Sequence, residues 1–244
     1  MDLSPQQVPQ QSQAAMKFPA KYKMLFENYV IAKRDGRAEH YDIKQVSDEP
    51  VYHILIKPEY GIYRDQFHVL ELKPGDFPLK PPRLIFLTKM YHTNVSANGG
   101  RICLDILNED SKWVPTYDFS SIIRNILLLL EEPNNSSPMN SEAAARHAAA
   151  LKAYKSTVGL KKLTSKEADQ VRDDCFAEFK TIADDFARGS KLDEYVKTFP
   201  VISGKSGEDE LPELEEQLAK MKKKTVVDSA TTKPAANRWA KYQK

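Results

Sequence analysis

The side chains best suited to chemistry lie in one segment of the chain, between residues 91 and 107. Residues 91–94 are Tyr-His-Thr-Asn, and residues 98–107 are Asn-Gly-Gly-Arg-Ile-Cys-Leu-Asp-Ile-Leu. A cysteine thiolate is a nucleophile, and a positioned amide or imidazole can assist acyl transfer at it. Cys103 is therefore a candidate nucleophile, although a lone cysteine is more often a small buried apolar residue. For His92, sequence spacing does not decide between a general base and a structural hydrogen-bonding residue.

The composition restricts the setting in which this segment works. The chain has 244 residues, which suits one domain with an appendage or two small domains. Its 36 Lys and Arg against 34 Asp and Glu leave a net charge of +2, so nucleic acid and anionic membranes are not expected as main partners. With two cysteines and no apolar leader, we expect free thiols in the cytoplasm or nucleus. The longest apolar candidate, residues 122–130, is interrupted by Arg124 and Asn125, so no membrane span is expected.

The elements before this segment alternate helix and strand patterns. Apolar residues at three- and four-residue steps predict a helix from about residue 19 to residue 36. Runs rich in β-branched and aromatic residues predict strands over 51–57, 67–72 and 83–87, and their short connections favour an antiparallel meander. Residues 88–116 show neither period and are expected to be irregular.

Helical patterns return after the segment. One helix is predicted after Asp118 as N-cap and ends near Pro133, and another begins at Ser141. A third is predicted over 165–188, where its apolar stripe needs a partner surface. We therefore predict an α+β fold, with a disordered lead over 1–16, a domain over 17–158, and an extension over 159–244 whose end is mostly flexible.

Several short motifs occur in a fixed order along this chain. They are Pro-Leu-Lys-Pro-Pro at 78–82, His-Thr-Asn at 92–94, Ile-Cys-Leu-Asp-Ile-Leu at 102–107, Trp-Val-Pro at 113–115 and Pro-Asn at 133–134. Together they resemble the ubiquitin-conjugating enzyme family, and the match covers roughly residues 20–155. The resemblance implies the same arrangement of helix, meander, long active-site segment and closing helices.

The resemblance also implies an activity. Cys103 would accept the carboxyl terminus of ubiquitin or a ubiquitin-like protein as a thioester from an activating enzyme, and would pass it to a lysine with a ligase. Asn94 would stabilise the oxyanion of the second step or hold the loop that does so; alternatively, it is a turn residue supporting its own backbone. No metal or cofactor of its own is expected, because the activating enzyme uses the ATP.

Further residues take supporting roles under this resemblance. Asp105 either helps to orient the site or satisfies backbone N–H groups, and Ser137 stands where several relatives carry an acidic residue near the incoming lysine. Trp113 is expected in the core. The residues expected to contact the activating enzyme and ligases are Lys17, Lys21, Lys23, Pro78, Leu79, Pro115 and Thr116.

Two departures from the family pattern bear on activity. Thr93 replaces the proline of the family's His-Pro-Asn triplet, so the backbone loses a fixed φ. Nine positions separate Asn94 from Cys103, about one more than is usual, because of the pair Gly99-Gly100. The alternative to an active enzyme is therefore a weak or inactive scaffold of the same fold that binds partners. A free Cys/His hydrolase is a third hypothesis, for which no orienting partner of His92 can be nominated.

Overall fold

The structure, a computed structural model, describes residues 20–46, 50–64, 66–109, 112–160, 162–199, 211–212, 214–216 and 218–219. Its elements are α1 (Ala20–Arg34), β1 (Tyr41–Gln45), β2 (Tyr52–Ile56), β3 (His68–Lys73), β4 (Arg83–Phe86), α2 (Asp105–Asn108), α3 (Phe119–Glu131), α4 (Ser141–Gly159), α5 (Ser165–Arg188) and α6 (Asp193–Val196). The α+β fold class is confirmed. The predicted lead over 1–16 and Lys17 lie outside the described residues, as do the positions between 200 and 210 and beyond 219.

The four strands form one antiparallel sheet in the order β1-β2-β3-β4. Pairs such as Ile54 with Leu70 and Leu72 with Leu84 place apolar residues of adjacent strands side by side. The predicted meander is confirmed for β2 to β4. Strand β1 was not predicted, because it is short, mixes apolar positions with Asp42 and lacks a continuous apolar run.

A buried ion pair explains why β1 carries an acidic residue. The Asp42 carboxylate is fully buried, and it accepts a hydrogen bond from the Tyr29 hydroxyl at 3.0 Å. The Lys33 ammonium lies 2.7 Å from the same carboxylate. Both partners come from α1, so the pair fixes this helix against the first strand. Removing one member of such a pair costs about 3–5 kcal/mol, because the other charge stays buried.

Helix α3 supplies the opposite wall of the core. Its buried residues include Phe119, Ile122 and Ile126, and the Asp118 side chain caps its first turn by accepting from the Ser121 N–H at 2.7 Å. These features match the sequence prediction. Tyr41 of β1 packs edge-on against Phe119 with ring centroids 5.7 Å apart, so the helix is joined directly to the sheet.

Residues 88–116 are largely irregular, as predicted, with one addition. The four-residue helix α2 begins two residues after Cys103, and it is too short to produce a recognisable helical period in the sequence. Trp113 is buried in the core, as expected.

Helix α5 has the predicted bounds, and Thr164 and Glu167 form a capping box at its start. Its apolar stripe packs on the domain: Phe176 and Phe179 are 5% and 3% exposed and belong to the main core. On its flank, Arg64 bonds Asp173 through two N–H groups at 2.7 and 2.9 Å. Truncation at Gly159 would therefore remove both rings and expose to solvent the core surface that they cover.

The chain after α5 also lies on the domain. Phe199 is fully buried in a cluster with Leu55 and Val69 of the sheet. Tyr195 of α6 hydrogen bonds through its hydroxyl with His53 Nδ1 at 2.6 Å. The sequence analysis missed α6, which has only four residues. None of the helices in the described ranges is both long and apolar enough to span a membrane.

The predicted flexible end needs one correction. The described positions between 211 and 219 are helical, and Leu218 is buried in the main core. Glu215 lies 2.6 Å from the guanidinium of Arg34 at the end of α1. Apolar residues recur every few positions in this stretch and pack on the domain, although its high content of charged residues favours exposure to solvent.

Candidate active site

Asn94 and Cys103 lie opposite each other in a hairpin, which we call the active-site hairpin (residues 94–103). The Cys103 N–H donates to the Asn94 carbonyl at 2.8 Å, and the Ser96 N–H donates to the Arg101 carbonyl at 2.9 Å. Val95 and Ile102 form an antiparallel bridge between these bonds. The tip at 97–99 is exposed, so a longer connection is accommodated there. The nine-position spacing therefore does not separate the Asn94 backbone from Cys103.

Gly100 fastens this hairpin to the sheet. The Phe86 N–H of β4 donates to the Gly100 carbonyl at 2.8 Å. A Cβ added to Gly100 would lie 1.9 Å from the Phe86 carbonyl oxygen, and the residue has a φ of +62°. Both the close approach and the positive φ require glycine here. Gly99 also has a positive φ, but a Cβ there would meet open space.

Cys103 has a free, partly buried thiol. The carbonyls on either side of it, from Ile102 and Leu104, both accept from the Asn108 side-chain amide at 2.9 Å. Asn108 thereby holds the backbone around the thiol. The sequence analysis missed this residue, and no local signal marks it beyond its position near the motif. Asp105 begins α2 with an exposed side chain, 3.8 Å from the Lys112 ammonium.

The Asn94 side chain is buried and fully engaged. Its amide nitrogen donates to the carbonyls of Asn134 at 2.8 Å and Ser137 at 3.3 Å, and its oxygen accepts from the Asn134 N–H at 2.8 Å. All three bonds go to residues 133–140, which we call the Pro133 loop. Asn94 therefore ties this loop to the hairpin that carries Cys103. Ser137 contributes its carbonyl to this network, and the residue is exposed.

His92 is fully buried beside this network. Its Nδ1 accepts from the Asn94 N–H at 2.9 Å, and its Nε2 donates to the Leu129 carbonyl at 3.1 Å. Burial lowers the pKa of the imidazole to about 3, so the ring is neutral at physiological pH. With both nitrogens in use, the geometry is that of a structural hydrogen-bonding residue rather than of a base.

Thr93 makes further bonds to the Pro133 loop. Its carbonyl accepts from the N–H groups of Met139 at 2.8 Å and Asn140 at 3.0 Å. Its hydroxyl donates to Asn135 Oδ1 at 3.2 Å, and the Asn135 amide nitrogen donates to His147 Nδ1 at 3.0 Å. Asn135 and His147 were missed by the sequence analysis. The sequence feature that could have identified His147 is its position one helical turn after Ala143 and Ala144, on the buried face of α4.

Four of the predicted partner-contacting residues lie in two joined loops: Pro78, Leu79, Pro115 and Thr116. Trp113 Nε1 donates to the Pro78 carbonyl at 2.8 Å, which links the loop around Leu79 to the loop holding Pro115 and Thr116. Leu79 is 76% exposed, and Pro115 and Thr116 are also exposed. Lys21 and Lys23 lie in α1, but their side chains are outside the described part of the structure.

The arrangement combines a thiol with neutral amides and carbonyls. A thiol so placed can act as a nucleophile toward an activated acyl group. Among the residues that the structure describes, no three His, Cys, Asp or Glu side chains are grouped to hold a metal ion.

Comparisons with known proteins place this geometry in context. A family model described as "Ubiquitin-conjugating enzyme" matches residues 31–161. Proteins named ubiquitin-conjugating enzyme E2 2 are similar to the chain: that of Candida glabrata is 47% identical over 92 residues, 37% of this chain and 53% of its own length. That of Mycosarcoma maydis is 49% identical over 78 residues, 32% of this chain and 40% of its own length. That of Saccharomyces cerevisiae is 46% identical over 92 residues, 37% of this chain and 52% of its own length.

The match thus spans about half the length of these curated relatives or less. A solved structure titled "Novel Ubiquitin-Conjugating Enzyme" is 22% identical, with a TM-score of 0.49, over 59% of this chain and 99% of its own.

Proposed function

The chain belongs to the ubiquitin-conjugating enzyme family, whose model matches more than half of its length, and on that premise we propose a two-step acyl transfer at Cys103. In the first step, Cys103 accepts ubiquitin or a ubiquitin-like protein as a thioester from an activating enzyme. In the second step, with a ligase, it transfers the acyl group to a lysine. The observation that carries the proposal is a free thiol whose backbone is held by Asn94 on one strand of the hairpin and by Asn108 from α2.

Each step exchanges one acyl bond for another. The Cys103 thiolate attacks the carbonyl of the incoming thioester, a new C–S bond forms, and the activating enzyme's thiolate leaves. A lysine amine then attacks the new thioester through an oxyanion, an amide bond forms, and the Cys103 thiolate is expelled. The amine loses a proton in this step, which passes to water or to the expelled Cys103 thiolate. His92 is not its acceptor, because both of its ring nitrogens are already bonded.

For Asn94 we propose a positioning role in the second step. Two roles are open to its amide: donating to the oxyanion or holding the loop beside it. Its bonds to Asn134 and Ser137 support the second role, since the donor nitrogen already faces two carbonyls. The Pro133 loop then forms one wall of the site, and Asn94 sets its distance from Cys103.

Two surfaces would serve the partners. The lysines at 17, 21 and 23 would attract an acidic surface of the activating enzyme, since opposite charges speed encounter. The joined loops with Pro78, Leu79, Pro115 and Thr116 would meet ligases. We expect Leu79→Ala to leave charging unchanged and to weaken ligase-stimulated discharge, because this exposed side chain has no part in the hairpin. A reducing setting, the cytoplasm or nucleus, would keep both cysteines available.

The competing hypothesis is a weak or inactive member that serves as a scaffold. Thr93 in place of proline favours it, while the intact motif around Cys103 favours activity. A Cys/His hydrolase is disfavoured, because the ring nitrogens of His92 are engaged elsewhere. The proposed thioester therefore needs a direct test.

The test is a charging assay with activating enzyme, ATP and a panel of ubiquitin-like proteins, followed by non-reducing gels. We expect one shifted band that reductant abolishes. Cys103→Ala should lose it, and the matched control Cys175→Ala, which removes the other partly buried thiol, should keep it. Cys103→Ser should trap an oxyester that resists reductant, because oxygen is the poorer leaving group. The absence of any shifted band with every carrier would favour the scaffold.

A further inference from the structure

We infer that Thr93 is a positioning residue for the transfer step, and that helix α5 of the extension sets its position through His147 and Asn135. The inference rests on the proposed function. It assigns a role both to the residue that departs from the family triplet and to a helix outside the region that the family model matches.

A continuous set of contacts joins α5 to Thr93. The rings of Phe176 and Phe179 lie 5.3 and 5.9 Å from the His147 ring, centroid to centroid. His147 Nδ1 accepts from the Asn135 amide at 3.0 Å, and Asn135 Oδ1 accepts from the Thr93 hydroxyl at 3.2 Å. Because Nδ1 accepts, the ring must be neutral with its proton on Nε2. Each member thus fixes the orientation of the next.

Tyr91, two residues before Thr93, provides a second set of contacts between α5 and residues 91–94. Tyr91 packs against Phe179 and Phe186 of α5, with centroids 5.1 and 5.2 Å apart. The Tyr91 carbonyl accepts from the buried Tyr63 hydroxyl at 2.7 Å. Helix α5 therefore contacts residue 91 directly, through the Tyr91 ring. It is joined to Thr93 indirectly, through His147 and Asn135.

The chemistry of residue 93 explains why this chain has such a link. A proline at this position has a fixed φ and needs no side-chain partner. Threonine lacks that restraint, but it has a hydroxyl, and here the hydroxyl is bonded while the residue is 1% exposed. The hydrogen bond to Asn135 takes over the restraint, and its strength depends on how firmly His147 is held. Thr93 is next to Asn94, so a shift at Thr93 moves the residue that holds the Pro133 loop.

The first experiment compares two variants that differ in one hydroxyl. Thr93→Val keeps the shape of the side chain and removes the hydroxyl, whereas Thr93→Ser keeps it. In single-turnover discharge to free lysine, we expect Thr93→Val to be slower by about 10-fold, with Thr93→Ser within about 2-fold of wild type. Charging should be the same for all three proteins. Thermal unfolding of both variants measures any general loss of stability. If any substitution at residue 93 destabilised the fold, Thr93→Ser would be destabilised as well as Thr93→Val.

The second experiment is a double-mutant cycle between Thr93 and α5. Phe176→Leu should slow discharge in the wild-type background and should add little in the Thr93→Val background, because the link is already broken there. The control is Tyr195→Phe, which removes a hydroxyl from α6 and should be without effect in both backgrounds. Fully additive effects of Phe176→Leu and Thr93→Val would overturn the link to α5.

The outcomes separate this inference from the proposed function. If wild-type protein does not charge, the proposed function fails, and the transfer role of Thr93 fails with it. If it charges and Thr93→Val discharges as fast as wild type, the inference alone is overturned. NMR of the Asn135 side-chain amide tests the contacts without activity: its resonances should move in Thr93→Val and in Phe176→Leu, and unmoved resonances would contradict the link.

Discussion

The two segments that form the site are held in place by different means. The active-site hairpin is fixed by main-chain bonds, such as those from Cys103 N–H to Asn94 and from Phe86 N–H to Gly100. The Pro133 loop has two main-chain bonds to the Thr93 carbonyl, and its other four bonds to residues 93 and 94 are made by the Asn94 amide and the Thr93 hydroxyl. Main-chain bonds survive most substitutions, whereas each side-chain bond depends on one residue type.

This difference has a functional consequence. The hairpin carries the nucleophile, and we propose that charging needs little beyond its correct backbone. The Pro133 loop lies across from it, and we propose that its placement matters mainly when the amine attacks. Variants that disturb the main chain of the hairpin should therefore act through folding, and variants in the side chains that anchor the loop should act through the transfer step.

The largest effect is expected at Gly100. Gly100→Ala should lower the free energy of unfolding by about 3 kcal/mol or more, because the new Cβ clashes with the Phe86 carbonyl and the φ is positive. Gly99→Ala, where φ is also positive but a Cβ would meet open space, should cost about 1 kcal/mol. Urea unfolding of both variants measures the difference. Equal losses would show that the close approach to β4 does not fix the hairpin.

Asn94→Ala should act on the transfer step. We expect thioester formation to stay near wild type and single-turnover discharge to free lysine to slow by about 100-fold, because a displacement of about 1 Å in the site can cost that much. Asn98→Ala is the control, since Asn98 is an exposed asparagine at the tip of the same hairpin.

Hydrogen exchange distinguishes the two roles of Asn94. The Asn134 N–H donates to Asn94 Oδ1, so it should exchange faster in Asn94→Ala if the side chain holds the loop. Slow discharge with unchanged exchange at Asn134 would indicate an oxyanion donor instead. Equal discharge rates for Asn94→Ala and wild type would remove Asn94 from the transfer step altogether.

Acid should weaken the protein through its buried imidazoles. Burial lowers the pKa of both His92 and His68 to about 3, below the ordinary value near 6.5. As pH falls below about 6.5, the unfolded chain binds protons that the folded chain does not. Each histidine should therefore lower the free energy of unfolding by about 1.4 kcal/mol per pH unit down to about pH 3.

His68 offers a way to test this slope. It lies between the rings of Tyr63 and Phe86, and neither of its nitrogens has a hydrogen-bond partner in the described structure. His68→Leu should reduce the slope by one proton while leaving the bonds of His92 to Asn94 and Leu129 in place. Urea unfolding between pH 7.5 and 5 measures it, and an unchanged slope would show that His68 is not neutral in the folded protein.

The smallest effect is expected away from both segments. Changing Lys17, Lys21 and Lys23 to Glu should slow charging several-fold at low salt, because the activating enzyme would meet a less favourable charge. The difference should shrink at high salt, and discharge to free lysine should not change. Equal charging rates at low salt would remove this surface from the encounter.

Local patterns in the sequence were sufficient for most elements. The spacing of apolar residues predicted α3 and α5 close to their observed ends, and Asp118 was correctly predicted as the cap of α3. The ordered motifs around Cys103 predicted the family and the hairpin's candidate residues. These features succeed because periodicity, capping and short motifs each depend on residues close together in the chain.

What only the tertiary structure decided is how distant segments meet. The apolar stripe of α5 called for a partner surface, but no pattern within it identifies Tyr91 and His147 as that surface. Likewise, the bond from Asn94 to Asn134 spans 40 positions, and the chain from Thr93 through Asn135 to His147 spans more than 50. Most buried polar side chains have a hydrogen-bond partner, but local sequence does not say which one. That choice follows from the packing of the whole domain. This packing brings Asn135 and His147 next to Thr93 and so makes them part of the site.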